Sequence, residues 1–219
     1  MAEIRDVFQD EELKNAAVGD TILFGSYEQD DDPDDNGLRE PLEWVVLASE
    51  NNKLLLLSKN AISCQPFNTA AGDVTWETSS LRTWMNETFV NEAFNPDEVD
   101  RIAVTLVSAD SNDAYNVSSG SSTEDRVFAL SIKEAAKYFA NDAARMCVPT
   151  VHANSEGTYT DDQHSVEGEP SCWWWLRSPG SSNAVAADVR PSGEIFAEGG
   201  EAEILNVGAR PAMWVQIPE

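Results

Sequence analysis

The chain has 219 residues, with 14 Lys and Arg against 39 Asp and Glu, a formal net charge of −25 at pH 7 and an isoelectric point near 4.1. So acidic a surface repels phosphate backbones and anionic lipid headgroups, which argues against nucleic acid and membrane surfaces as partners. An apolar fraction of 42% with 9% aromatic residues is nevertheless enough to bury a core, and the plain reading of the charge is solubility or life at high salt.

The length predicts one large domain or two small ones. No window approaches the roughly 20 apolar residues that a membrane span needs. Met1-Ala2-Glu3-Ile4-Arg5-Asp6 has neither a basic region nor an apolar leader. The chain as given is therefore expected to be cytoplasmic, or extracellular if it is a fragment of a secreted protein. Cys64, Cys147 and Cys172 lie far apart without a C-x-x-C spacing, and an odd number leaves at least one thiol unpaired. That pattern suits a reducing compartment and speaks against a structural zinc site.

Residues 1–15 read as a polar arm with one weak helical stripe of Ile4, Val7, Phe8 and Leu13. Strand-like runs at Thr21–Tyr27, Glu43–Ala48 and Lys53–Ser58, broken by an Asp/Pro/Asn/Gly loop and by Asn51-Asn52, predict a three-stranded meander. Leu81, Trp84, Met85 and Phe89 then fall on one helical face behind Ser79-Ser80 as cap candidates, and Asn95-Pro96 opens a second short helix. Ile102–Val107 is a further predicted strand, followed by a polar loop over 109–124. Ser131 and Glu134 form a capping box that starts a helix running to about Ala140, with Ala135, Ala136 and Phe139 inward. Residues 153–171 read as polar and irregular. The last quarter predicts strands at Trp173–Leu176, Ala184–Val189, Glu194–Phe196 and Pro211–Ile217. No composition break divides the chain, and the reading is one α+β domain with its helices grouped in the middle.

Asp32, Asp34, Asn36, Gly37 and Glu43 fit the spacing of an EF-hand calcium loop. The flanking runs are strands, and Pro33 and Pro41 stiffen the loop, so an acidic hairpin loop is expected instead. Weak calcium binding by clustered carboxylates stays open, and no other cofactor is expected. The consecutive Trp173, Trp174 and Trp175 are the most unusual feature. On a strand they alternate faces, so Trp174, sharing a face with Leu176, is expected in the core. Trp173 and Trp175, beside Arg177 and Arg190, are the candidate ligand-binding residues, because an indole stacks on sugars or peptides and an arginine orients a polar ligand. Burial of both faces, with the arginines in structural ion pairs, is the alternative. His152 and His164 are the only histidines, nothing resembles a nucleophile elbow, phosphate loop or dinucleotide fingerprint, and no catalytic residue is assigned.

Taken together, Gly19-Asp20-x-Ile22-x-Phe24-Gly25-x-Tyr27, Glu43-Trp44-x-Val46-Leu47, Ser80-Leu81-Arg82-x-Trp84-Met85-Asn86, Val127-Phe128-x-Leu130-Ser131, Trp174-x-Leu176-Arg177-Ser178-Pro179-Gly180 and Gly208-x-Arg210-Pro211-Ala212 resemble a widespread bacterial domain of unknown function. The likeness runs from about residue 16 to the C-terminus. That family in turn resembles the C-type-lectin-like fold of formylglycine-generating-enzyme-type proteins, through its order of early strands, helices, late meander and closing G-x-R strand. The resemblance implies one lectin-like domain over 16–219, closed by the strand near Thr21–Phe24 lying beside Ala212–Ile217. The formylglycine-generating activity needs a closely spaced copper-binding cysteine pair, which the sequence does not offer, and the lectin calcium triplets are also missing. The expected function is a non-catalytic binding module that presents variable loops to a protein or small polar ligand. Its rivals are a divergent formylglycine-generating-type enzyme, in which Cys147 and Cys172 would meet in a cleft, and an intracellular protein-interaction domain. The binding module instead expects an exposed tryptophan and no converging titratable set.

Overall fold

The computed structural model describes residues 10–34 and 38–218. The predicted meander is present. Strand β1 (Thr21–Tyr27) pairs with β2 (Glu40–Glu50), which pairs with β3 (Lys53–Ser58), all antiparallel. Asn51 and Asn52 both take positive φ, 51° and 58°, so the two-residue β2–β3 turn has the primed geometry that matches strand twist. In β1 the register slips between Leu23 and Ser26, at Gly25 with φ 72°. A Cβ on Gly25 would stand 2.5 Å from the Phe94 ring, so only glycine fits there.

A continuous helix, α1, follows at 80–93, its central segment Trp84–Phe89 widened into a π-helical stretch. Its Leu81, Met85 and Phe89 face the first sheet and are buried. Ser79 caps it by accepting from the Arg82 amide. Helix α2 (Pro96–Arg101) starts on the reciprocal Asn95–Glu98 capping box. Phe94, between the two helices, packs on Phe24, Trp44 and Phe89 with ring centroids 5.5, 6.2 and 5.6 Å away.

The predicted strand at 102–107 shortens to Thr105–Val107, paired with Thr123–Asp125, while Ile102 makes an isolated bridge to Val215. We number these strands β5 and β6, after the short β4 (Ser63–Cys64), with β7 at Val127–Phe128. Helix α3 (Ile132–Tyr138) carries the predicted Ser131–Glu134 box, with Ala135 buried and Phe139 packed on the core. Ala136 is exposed, contrary to expectation, because it lies on the solvent side of this short helix. Helix α4 (Asp142–Arg145) follows.

Residues 153–171 are regular, which corrects the irregular reading. Helix α5 (Val151–Ser155) leads into a hairpin of β8 (Thr160–Val166) and β9 (Glu169–Cys172). None of β8 is fully buried, so the run has no alternating apolar pattern to announce it. Its two-residue turn uses Glu167 and Gly168, both at positive φ.

The remaining strands are β10 (Trp174–Pro179), β11 (Val185–Val189), β12 (Ile195–Glu201), β13 (Gly208–Ala209) and β14 (Ala212–Gln216). They complete two five-stranded sheets, ordered β1-β2-β3-β14-β7 and β12-β11-β10-β13-β4. The first and last strands thus share a sheet but are not neighbours, since β14 pairs with β3 and β7. One hydrophobic cluster reaches from Leu13 to Val215. Residues 10–15 are helical and Leu13 is fully buried, so this end of the predicted arm is anchored in the core. The architecture is α+β with mostly antiparallel sheets. Among the described residues no helix is long and apolar enough to cross a membrane.

Candidate functional site

Strand β10 lies inside the second sheet between β11 and β13, and all six of its residues are buried. Both faces of this strand are covered by packing from outside the sheet, so alternation does not expose Trp175. Trp174 is in the core as expected, its Nε1 donating to the Arg145 carbonyl at 3.1 Å. Trp175 is buried as well, a correction to its reading as a ligand residue. Its Nε1 donates to the Gln65 carbonyl at 2.8 Å and its ring meets Phe67.

Arg177 is also withdrawn from solvent. Its Nη1 donates to the Ala129 carbonyl at 2.9 Å and pairs with Glu134, while Nη2 lies 3.7 Å from Asp110. Glu134 simultaneously accepts from the Ser131 amide, so Arg177 ties the start of α3 to β10. The sequence cannot separate this role from ligand binding, because both place an arginine among aromatics and acids.

Trp173 and Arg190 are brought together, and both keep partial exposure. The Arg190 guanidinium is sandwiched between Trp173 at 4.0 Å and Phe196 at 3.8 Å. Its Nε lies 3.1 Å from Asp188, a wholly buried carboxylate neither of whose oxygens has a hydrogen-bond partner among the described residues. Burial pushes the Asp188 carboxyl up to about 7, against the opposing pull of Arg190. Both faces of Arg190 are taken, so the pair is a buttress for Trp173 more than a ligand clamp. A lone aspartate in the apolar run Val185-Ala186-Ala187-Asp188-Val189 is a sequence signal that the aromatic reading passed over.

Among the described residues the EF-hand spacing gathers no cluster of ligands. Asn36 lies outside the described residues, and Glu43 sits on β2 paired with Lys59 at 3.0 Å. Asp32 and Asp34 stay in the loop, where Asp32 accepts from the Asp34 amide. The carboxylates that do come together are Glu28, Asp30 and Glu40. Each also accepts a backbone amide of the same hairpin, from Asp31, Asp32 and Gln29 respectively, so the loop's own turns account for them. Asp31 binds Ser155 and His152 from α5, which hold its carboxyl below the usual range. The His152 Nδ1 contact is 2.6 Å, and Nε2 lies 3.7 Å from Glu156. Glu156 accepts from the Ser63 hydroxyl and the Cys64 amide, both at 2.8 Å. This polar chain fastens the acidic loop and α5 to β4. It forms no nucleophile–base pair, because Ser155 donates to Asp31 and not to His152 Nε2.

The acidic loop, α5 and the β8–β9 hairpin enclose a cleft of about 450 Å³. Amides of Gln29, Asn60 and Asn154 and hydroxyls of Thr150 and Thr160 line it, with Pro149, Val151 and Pro170 as its apolar surface and Glu169 as its acid. The side chains of Asn60, Asn154 and Thr160 have no hydrogen-bond partner among the described residues. A second depression between residues 11–16 and β1 is edged by Glu11, Glu12 and Asp20 and converges on no chemistry. Sequence reasoning missed the cleft because its wall joins distant segments, one of them the unannounced β8–β9 hairpin.

Behind that wall, Cys147 and Cys172 meet. Both are buried, at 2% and 0% exposure, and the Cys172 amide donates to the Cys147 carbonyl at 2.8 Å. Neither side chain lines the cleft. Cys64 is half-buried and donates to the Leu205 carbonyl, and burial raises its thiol pKa.

A family profile described as a domain of unknown function, DUF6273, matches residues 51–217, and the chain belongs to that family. The matched span begins at the β2–β3 turn, so β1 and all of β2 precede it. No curated protein and no solved structure matches the chain.

Proposed function

We propose that this chain is a non-catalytic binding module whose ligand is a small polar molecule of the saccharide class, held in the cleft between α5 and the β8–β9 hairpin. The observation that carries the reading is the set of uncommitted amides and hydroxyl, Asn60, Asn154 and Thr160, facing one concave surface beside Pro149 and Pro170. Side-chain amides donate and accept at adjacent atoms, as a ring of hydroxyls does, and the apolar residues suit the C–H face of a sugar. The net charge of −25 opposes anionic ligands. The scaffold belongs in this proposal to the C-type-lectin-like kind. Support comes from the order of early strands, mid-chain helices and late meander, and from the first and last strands sharing a sheet. Loops on such a frame tolerate change while the strands hold position.

The rival, a divergent formylglycine-generating-type enzyme, draws on the meeting of Cys147 and Cys172. Their burial leaves no route for a substrate thiol, so the binding reading is preferred. A screen of neutral mono- and disaccharides by saturation-transfer NMR tests it. Asn154→Ala and Asn60→Ala should each weaken a hit by about threefold to tenfold, the worth of one hydrogen bond, with the melting temperature unchanged. Binding that survives the double variant would remove the cleft from the proposal.

A further inference from the structure

Cys147 follows α4 on the segment leading to Pro149, and Cys172 ends β9. The backbone bond from the Cys172 amide to the Cys147 carbonyl, 2.8 Å long, sets how far apart the two residues stand. Residues joined by one backbone N–H···O=C bond are immediate neighbours, as the roughly 4.4–6.8 Å Cα separation of a disulfide requires. Both thiols are free and buried on residues that the backbone bond sets side by side. A buried cation attends them. Arg210 is 4% exposed and donates to the carbonyls of Ser58, Lys59 and Arg145 at 2.9, 3.2 and 3.3 Å, with no carboxylate partner among the described residues. The Lys59 carbonyl that Arg210 holds also receives the Cys147 thiol, at 3.7 Å. A desolvated guanidinium without an anion is costly, and a thiolate at Cys147 is the group placed to neutralise it.

We propose that Cys147 and Cys172 are an oxidisable pair that hydrogen peroxide closes to a disulfide, with Cys147 as the attacking thiolate and Cys172 as the resolving thiol. The Cys147 sulfur attacks one peroxide oxygen and the O–O bond breaks. The departing hydroxide takes up the proton that Cys147 released and leaves as water. Cys172 then attacks the resulting sulfenic sulfur, the S–O bond breaks, and the hydroxyl leaves as water with the Cys172 proton. Two thiols and one peroxide become one disulfide and two waters, the peroxide taking two electrons. Peroxide is small and neutral enough to reach sulfurs that a bulky disulfide reagent cannot.

The electrostatics divide the roles in the same way. Burial opposes ionisation of Cys147, yet the Cys172 thiol, the Arg210 charge and the Ala61 backbone together bring it down to about 7. Cys172 is pushed up by burial and by its neighbour, and keeps its proton. Closing the bond would fix the Val148–Pro149 wall of the cleft to the Glu169–Pro170 wall.

The test exposes the folded, full-length chain to peroxide and maps its peptides, with and without later reductant. A Cys147–Cys172 linked peptide, lighter by two hydrogens and reopened by dithiothreitol, supports the pair. Under the same exposure Cys172→Ser should trap a dimedone adduct on Cys147. Arg210→Gln should slow oxidation several-fold, because loss of the charge raises the Cys147 thiol pKa, whereas Arg210→Lys should keep most of the rate. Because either Arg210 variant can fail to fold, the wild-type peptide map decides the matter alone. Three results would each overturn the proposal: both thiols intact when denatured chain is oxidised by the same dose, a link to Cys64, or sulfinic acid at Cys147 without any disulfide.

Discussion

Asp188 is the clearest case of a single side chain set against its surroundings. It is wholly buried in β11, with Arg190 as its ion-pair partner, and its carboxyl rises from an ordinary 3.8 to about 7. The folded chain therefore holds a proton that the unfolded chain has already lost between pH 4 and 7. Stability from this group is full below pH 4, declines as pH climbs to 7, and is level above that. Asp188→Asn keeps the shape and removes the titration. Relative to wild type the variant should be near neutral at pH 4 and more stable at pH 8, by at most about 4 kcal/mol. Urea melts at both pH values measure this, and a difference that does not change with pH would show Asp188 ionised throughout. The tryptophans of β10 carry a second test. Trp174→Ala and Trp175→Ala each truncate a fully buried ring, and both should cost about 3–5 kcal/mol. If Trp175→Ala proved near neutral, Trp175 would return as a ligand candidate. Alternation predicted one buried face for this strand, and all six residues of β10 are buried. Whether the second face was covered depended on distant residues such as Gln65 and Phe67 packing on Trp175, which no local pattern reports.

At the level of elements, what the chain declares locally is what the fold keeps. Ser131 and Glu134 satisfy each other's end of α3, Asn95 and Glu98 do the same for α2, and the Asn51-Asn52 turn sets the β2–β3 register. Each device acts within a few residues, so the sequence shows it. The β8–β9 hairpin is different: its strands are polar on both sides, and only Glu167-Gly168 marks the turn. The convergence of Cys147 with Cys172, and the stacking of Arg190 on Trp173, likewise arise from pairing between distant segments. Arg177 adds a long-range lock to a local device, since Glu134 serves the cap and the guanidinium together. Ser131→Ala loses the cap and a hydrogen bond to Asp110 and should cost about 2 kcal/mol. Glu134→Ala takes from the buried Arg177 its nearer carboxylate, leaving Asp110 at 3.7 Å, and should cost about 3 kcal/mol. Chemical denaturation of the two variants measures the gap, and equal losses would mean that Arg177 gains nothing from Glu134.

Over the whole molecule the dominant fact is the excess of acid. With 14 basic residues against 39 acidic ones, most carboxylates have no cation to pair with, and several crowd into the loop at Glu28–Asp34. Their mutual repulsion acts at the surface, where salt screens it over a Debye length of about 10 Å at 0.1 M and about 3 Å at 1 M. The melting temperature should therefore climb with sodium chloride by several degrees over that range, whichever monovalent salt supplies the ions. A specific calcium site would behave otherwise, since a bound divalent ion stabilises by its own affinity and not by ionic strength. The Glu28, Asp30 and Glu40 carboxylates already serve the amides of their hairpin, and the EF-hand spacing has strands in place of helices on its flanks. Calcium is thus expected to act as any other ion. Calorimetric scans in calcium chloride and in sodium chloride of equal ionic strength should superimpose, and a chelator should leave the midpoint where it was. A fall of many degrees on chelation, reversed by calcium and not by sodium, would make the acidic loop a structural metal site.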